Sequence, residues 1–161
     1  MDTTIRPATP ADAAALAALR FEFRAAHAAP VEPAAAFVAR CRAWMEERLA
    51  AGRWRAWVAE VDGAIHGQLW LHAIEKIPNP GVEPEAHAYI SNVYVRPPLR
   101  GRGIGSRLIE AALGWCSGAA IDCVILWPSA RSRALYARHG FLDHGEVMIL
   151  RLAATPLNAR A

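Results

Sequence analysis

The order of patterned segments predicts a single domain of the α/β or α+β class. Strand-like and helix-like runs succeed one another as strand, two helices, three strands, helix, strand, helix, strand. No Ser/Gly linker and no internal repeat divides the 161 residues. Hydrophobic residues make up 54% of the chain against 20% charged, a balance that fills the core of one domain of ordinary size.

The first strand lies in TIRPAT, from residue 4. TPAD then opens a helix, with Thr9 as N-cap, Pro10 as first helical residue and Asp12 three positions after the cap. Leu16, Leu19 and Phe23 follow at helical intervals. After APVEP a second helix gathers Phe37, Val38, Cys41, Trp44, Met45 and Leu49 on one face and Arg40, Arg42, Glu46 and Glu47 on the other, until Gly52 closes it. RWRAWVAEVDGAIHGQLWLHAI is two strands about an Asp-Gly turn, hence antiparallel neighbours. Three prolines and a glycine make EKIPNPGVEPEA a loop. HAYISNVYV alternates as a strand and RPP ends it. A helix then turns Ile104, Leu108, Ala111, Ala112 and Trp115 inward, and CVILW reads as a buried strand. RSRALYARHGF is a short helix stopped by Gly140, EVMILRL a last strand, and residues 153–161 a frayed tail.

Charge and composition exclude several classes. The net charge is +3, Lys76 is the single lysine, and the arginines are scattered among acids, so no basic stripe for nucleic acid forms. No apolar run is long enough for a membrane span, and MDTTIRPATP lacks the basic start and apolar core of an export signal, which makes the cytoplasm the expected compartment. Cys41, Cys116 and Cys123 have no CxxC spacing, so neither a disulfide framework nor a zinc site is expected. Cys41 and Cys116 fall on apolar helical faces and read as core.

Residues 99–107, LRGRGIGSR, place three glycines and three arginines between a strand and a helix. Free N–H groups at a helix start, the helix dipole and bare backbone together suit an anion. A P-loop requires GK[ST], absent here; a dinucleotide site requires glycine or alanine at Ser106 and an acid at the far end of the next strand, whereas Asp122 stands at that strand's start. A ligand-free turn leaves Arg100, Arg102 and Arg107 without a shared purpose. A diphosphate held by the amides of residues 101 to 106 uses all of these features.

RGRGIG is similar to the Arg/Gln-x-x-Gly-x-Gly/Ala signature of the GNAT N-acetyltransferases, which bind acetyl-CoA. VYVRPPLRGRGIGSRLIEAAL resembles that family's central strand, loop and helix, and ILWPSARSRALYARHGF its next strand and closing helix. The resemblance spans residue 4 to about 152. It implies a twisted mixed sheet flanked by helices, in which pantetheine lies between two splayed strands. By resemblance the backbone of Val93, Tyr94 and Val95 bonds the pantetheine amides and acetyl carbonyl. Gly101, Arg102, Gly103, Ile104, Gly105 and Ser106 receive the diphosphate, with Arg100 and Arg102 neutralising charge. Ser129 stands where the family usually has an asparagine that touches the cofactor.

The implied reaction is direct attack by an amine on the thioester. Exposing the lone pair of an alkylammonium of pKa about 10.4 at pH 7 takes roughly 4–5 kcal/mol. Tyr136 occupies the tyrosine position of the family's closing motif and is the expected general acid; a phenol of pKa about 10 protonates a thiolate of pKa about 8.5 uphill by roughly 2 kcal/mol. A packed tyrosine that only hydrogen-bonds is the alternative. Many relatives place a glutamate where YISN stands here, and Ser91 and Asn92 are not bases near pH 7. His87, Glu75, Glu83 and Glu85 lie in or beside the proline-rich loop and are the base candidates, alongside water or an acceptor amine of low pKa. His66, Gln68, Trp70 and His72 share one strand face without an evident third metal ligand, so no metal is expected. Trp44, Trp54, Trp57, Trp70 and Trp127 read as core or pocket walls. In relatives the acceptor cleft forms from the first two helices, HAAPVEP and the loop near 75–87. The acceptor itself stays open among small amine, amino acid, aminoglycoside-like antibiotic, polyamine and protein N-terminus. Transfer to a hydroxyl, and a non-catalytic domain that senses acyl-CoA, are the other readings. Relatives often dimerise; no patch in the sequence identifies a homodimer interface.

Overall fold

Turns and caps set most element boundaries in the computed structural model, which describes residues 2–143 and 147–150. β1 (Thr3–Pro7) leads through a 3-10 turn (Pro10–Asp12) into α1 (Ala13–Ala25). The expected capping box is present, with the Thr9 amide donating to Asp12 Oδ2 at 2.8 Å. α2 (Ala34–Ala51) ends at Gly52. β2 (Trp54–Val61) and β3 (Ala64–Glu75) make the expected hairpin: Asp62 and Gly63, at φ 48° and 82°, supply the two left-handed residues of a type I′ turn. β4 (Ala86–Val95), α3 (Ile104–Gly118), β5 (Ile121–Ile125) and α4 (Arg133–Arg138) follow.

The sheet runs β1-β2-β3-β4-β5 in space as in sequence. The first three pairings are antiparallel and β4–β5 is parallel, with α3 as the crossover, so the sheet is mixed. Both faces are covered, which is why β2 and β3 read as near-continuous apolar runs. Trp57, Ala59 and Val61 of β2, with Leu69 and Leu71 of β3, pack on Ile104, Leu108, Ile109, Ala112 and Cys116 of α3. The alternate residues Ala56, Val58 and Trp70 pack on Ala13, Leu16 and Ala17 of α1 and Met45 of α2. Ala111 and Trp115, expected to point fully inward, sit at the margin of the first cluster, while Ile109 and Cys116 take the deeper positions. Cys41, Cys116 and Cys123 are free thiols. No helix among the described residues is long and apolar enough to cross a membrane.

Two expectations are corrected. The strand read in CVILW is not buried: β5 is Ile121–Ile125, Asp122 and Cys123 are exposed, and Ile121, Val124 and Ile125 are half-covered, because the strand is paired on one side only, to β4. The last strand, EVMILRL, is not found in its described part. Val147–Leu150 carries no strand and is exposed, since apolar side chains alone cannot place a strand that has no ladder partner. Glu146, Arg151, Leu152 and the tail 153–161 lie outside the described residues.

One ion pair ties the first strand, the first helix and β2 together. Arg6 donates to both carboxylate oxygens of Asp12 at 2.9 Å and through Nε to Glu60 at 3.1 Å. Arg6 and the Thr9 amide hold the nearly buried Asp12 carboxyl down at about 2. Its lowered pKa means that the stabilisation is complete above about pH 4 and is lost as pH falls from there through 2. Asp12→Asn should therefore lower unfolding free energy by about 2–3 kcal/mol at pH 7. Urea titration should show variant and parent converging below about pH 3; equal midpoints at pH 7 would contradict the assignment.

Candidate active site

β4 and β5 begin side by side and then part. They pair at Ala86–Ile121, Ala88–Val124 and Tyr89–Ile125 and no further, although β4 continues to Val95. A bulge lies where they separate: Trp70 opposes Ser91 and Gln68 opposes Tyr94, so Asn92 and Val93 together face Leu69. Asn92 takes φ 54°, a left-handed conformation that asparagine tolerates better than most residues. Its Oδ1 accepts a hydrogen bond from Arg20 Nη1 at 3.1 Å, which fixes α1 to the bulge.

Strand alternation then assigns the peptide groups. Arg96 N–H donates to His66 O on the β3 side at 3.0 Å. Tyr94, of the same parity, also turns to β3, whereas Val93 and Val95 turn to the open side. There Val95 O already accepts from Arg100 Nε at 2.8 Å. Arg100 also lies over the Tyr94 ring at 5.6 Å, and Tyr94 packs on Phe23 at 5.3 Å. Of the three residues carried over for pantetheine, Val93 and Val95 thus present main chain to the opening, and Tyr94 presents a ring to α1.

The glycine segment is a helix start with bare approach. Gly101 and Gly103 have φ 75° and 78°, and a Cβ built on either meets nothing within 4 Å, so glycine is there for its backbone conformation and for open space. Arg107 N–H makes the first bond of α3, to Gly103 O at 3.1 Å. The amides of Gly103, Ile104, Gly105 and Ser106 are the donors a helix start leaves over. Ile104 contributes only its amide, since its side chain is in the core. The three arginines divide their roles, for Arg107 donates to Thr3 O of β1 at 3.0 Å and Arg100 braces β4. Arg102 stands in the turn ahead of Gly103. Where a Cβ of Gly105 would be, Leu135 Cδ2 is 3.4 Å away, which sets the start of α3 against the residue preceding Tyr136.

Tyr136 is buried in α4, edge-on to Phe141 at 5.7 Å, and lines a cleft of about 950 Å³. Burial pushes its phenol up to about 12. The hydroxyl therefore stays protonated near neutral pH, and a phenol so shifted would give its proton to a thiolate roughly 5 kcal/mol uphill, steeper than the sequence suggests. Ser129 also lines the cleft, but it caps the turn before α4: its amide donates to Ser132 Oγ at 2.9 Å, and the two hydroxyls are 3.0 Å apart.

The loop acids and His87 are not brought to the cleft. Glu75 is 3.8 Å from Arg53, Glu83 pairs with Lys76, and His87 lies beside Asp122 and Cys123, toward the end of the sheet where β4 begins. None of them, nor Glu85, lines the cavity, and the loop after β3 does not wall it. His66 stands 3.3 Å from Arg96, His72 stacks on Trp54 at 4.5 Å, and no metal-holding cluster occurs among the described residues. Trp44, Trp54, Trp70 and Trp127 do line the cleft, while Trp57 is core.

The first two helices supply the other wall, as the resemblance implies, but patterning does not single out most of its residues. Arg20, Phe23 and Arg24 of α1, continued by His27 in the turn just past its end, form one stripe, and Phe37, Arg40, Cys41 and Trp44 one stripe of α2; both border the cleft. Each follows i, i+3, i+4, i+7 spacing, the same interval that marks a core face. Arg40, read on the face opposite the apolar one, keeps its side chain largely exposed and also borders the cleft. His27 Nδ1 donates to Phe23 O at 2.7 Å, which leaves Nε2 as an acceptor.

The Acetyltransferase (GNAT) family model matches residues 16–141. No curated protein matches the chain. Among solved structures, a predicted acetyltransferase from Clostridium acetobutylicum, crystallised with acetyl-CoA, has a TM-score of 0.79 and 22% identity over 94% of this chain and 97% of its own. A GCN5-related N-acetyltransferase from Ralstonia eutropha has a TM-score of 0.70 and 27% identity over 94% and 100%. Glucosamine-6-phosphate N-acetyltransferase from Arabidopsis thaliana has a TM-score of 0.69 and 19% identity over 95% and 100%.

The bulge makes its own prediction. Both Asn92→Gly and Asn92→Val lose the bond from Arg20, but glycine suits a positive φ, so the β-branched Asn92→Val should lower unfolding free energy by about 2 kcal/mol more than Asn92→Gly. Equal urea midpoints for the two variants would refute the strained conformation.

Proposed function

The chain belongs to the GNAT family of acetyltransferases, and from that premise we propose that it moves an acetyl group from acetyl-CoA to the primary amine of an acceptor held between α1, α2 and β4. The observation that carries this reading is the parting of β4 from β5, with a bare helix start at one end of the opening and Tyr136 in its wall.

The residues fit the cosubstrate. The spare amides of Gly103 to Ser106 and the positive end of α3 suit a diphosphate, aided by Gly101 and Arg102 in the turn. Main chain of Val93 and Val95 on the unpaired edge of β4 suits a ligand that carries amide groups. Ser129 Oγ, although engaged with Ser132, keeps capacity for another bond where the family usually has an asparagine. Arg100 acts at one remove, holding Val95 O and the Tyr94 ring. When bound, acetyl-CoA supplies an activated thioester that a free amine attacks directly.

The chain's own contribution is proton management. Tyr136 hydrogen-bonds the departing sulfur and stabilises its charge, and its raised pKa makes it a donor at every pH of interest. No carboxylate lines the cleft among the described residues. The arginines there disfavour an ammonium and so favour the free amine that attack requires. The released proton passes to water or to His27 Nε2.

Tyr136→Phe tests the assignment. Release of CoA thiol in the presence of an accepted amine should fall about 10- to 100-fold in kcat. The dissociation constant for acetyl-CoA should stay within about twofold. An unchanged kcat would remove Tyr136 from the chemistry.

A further inference from the structure

The acceptor side of the cleft selects for charge. Arg20 and Arg24 of α1, Arg40 of α2 and Arg131 ahead of α4 all line it, and no carboxylate does so among the described residues. Glu32 reaches Arg40 at 2.5 Å from outside the lining, and Glu22, the acid nearest the bulge on α1, is held by Arg96 at 2.6 Å. Arg20 is set apart. Its guanidinium is largely withdrawn from water, it donates to the neutral Asn92 Oδ1, and the charges that act on it include Arg24, another cation, and no carboxylate.

A guanidinium has several N–H donors, and a desolvated cation beside a like charge is unfavourable until an anion joins it. Around these arginines the walls are aromatic, chiefly Phe37, Trp44 and Trp127. A polyamine or aminoglycoside entering this space brings like charges against the arginines. A molecule with an anionic group at one end and a flat apolar body meets complementary groups on both counts.

We propose that the acceptor is a small primary amine that also carries a carboxylate or phosphate-type anion, and that Arg20 is the residue that reads that anion. This rests on the N-acetyltransferase reading above. The reaction balances as there: the acetyl C–S bond breaks, a C–N bond forms, CoA leaves as thiol, and one ammonium proton is released. Within it, Arg20 has two linked roles. It orients the acceptor through the anion, and through Asn92 it stays locked to the strand whose open edge faces the thioester.

The test compares amines that differ only in the anion. L-phenylalanine against phenethylamine reads a carboxylate, O-phosphoethanolamine against ethanolamine reads a phosphate, and spermidine represents cationic acceptors. At least one anionic amine should exceed its neutralised partner and spermidine about tenfold or more in kcat/KM. Arg20→Met should bring that ratio close to one, and Arg20→Lys should restore part of it. In calorimetry on the CoA-loaded protein, 3-phenylpropionate should bind more tightly than phenethylamine, and Arg20→Met should remove the difference. Preference for spermidine or for the amines without an anion overturns the inference and leaves acetyl transfer standing. So does a ratio unmoved in a folded Arg20→Met protein. Arg20-dependent binding of 3-phenylpropionate without acetyl transfer to any amine supports the anion site and overturns the reaction instead.

Discussion

The unpaired edge of β4 is the constraint from which the rest of the site follows. A strand at the edge of a sheet exposes peptide groups that must find partners, and here the edge opens in the interior of the sheet instead of at its rim. The β3–β4 bulge helps to create it. By inserting Asn92 and Val93 opposite one residue of β3, it bends β4 away from β5 and turns alternate peptide groups into the gap. That geometry is held from both sides: Arg20 secures Asn92 at φ 54°, and Arg100 secures Val95 O. The same opening that destabilises an empty sheet is the slot in which an amide-bearing ligand can complete it.

Electrostatics divides the slot into two functions. At the α3 end, neutral backbone amides and the helix dipole suit the phosphates of a carrier. At the α1–α2 end the described lining holds several arginines and no carboxylate, which is the ground for the proposed anionic acceptor. Burial keeps the Tyr136 hydroxyl protonated between them. In the proposed reaction the leaving sulfur would be met by a donor, and the attacking nitrogen would be kept neutral by its surroundings and not by a carboxylate base.

Local chemistry makes much of this legible in the amino-acid sequence. Thr9, Pro10 and Asp12 announce a helix start through their own hydrogen bonds; Asp62-Gly63 announces a hairpin through φ; Gly101 and Gly103 announce a bare turn for the same reason. What stays hidden depends on partners distant in sequence. Asn92 gives no sign of a bulge until β3 is laid beside it. Arg20 and Arg40 share the helical interval of core residues, so periodicity cannot tell a cleft stripe from a buried one, and Arg40 borders the cleft while its side chain stays largely in solvent. The carboxylates of the 75–85 loop and His87 are candidates because they precede β4, yet a ten-residue strand carries its beginning far from the bulge near its end. Val147–Leu150 fails as a strand because apolar content does not supply a ladder.

Calorimetric titration with acetyl-CoA tests the central claim most directly. One molecule should bind per chain. Gly103→Val, which forces a β-branched residue into φ 78°, should weaken that binding about tenfold or more while the variant still unfolds cooperatively. No heat from the parent protein at millimolar acetyl-CoA, or equal affinity in the two proteins, would contradict the claim that the helix start and the parted strands form one site.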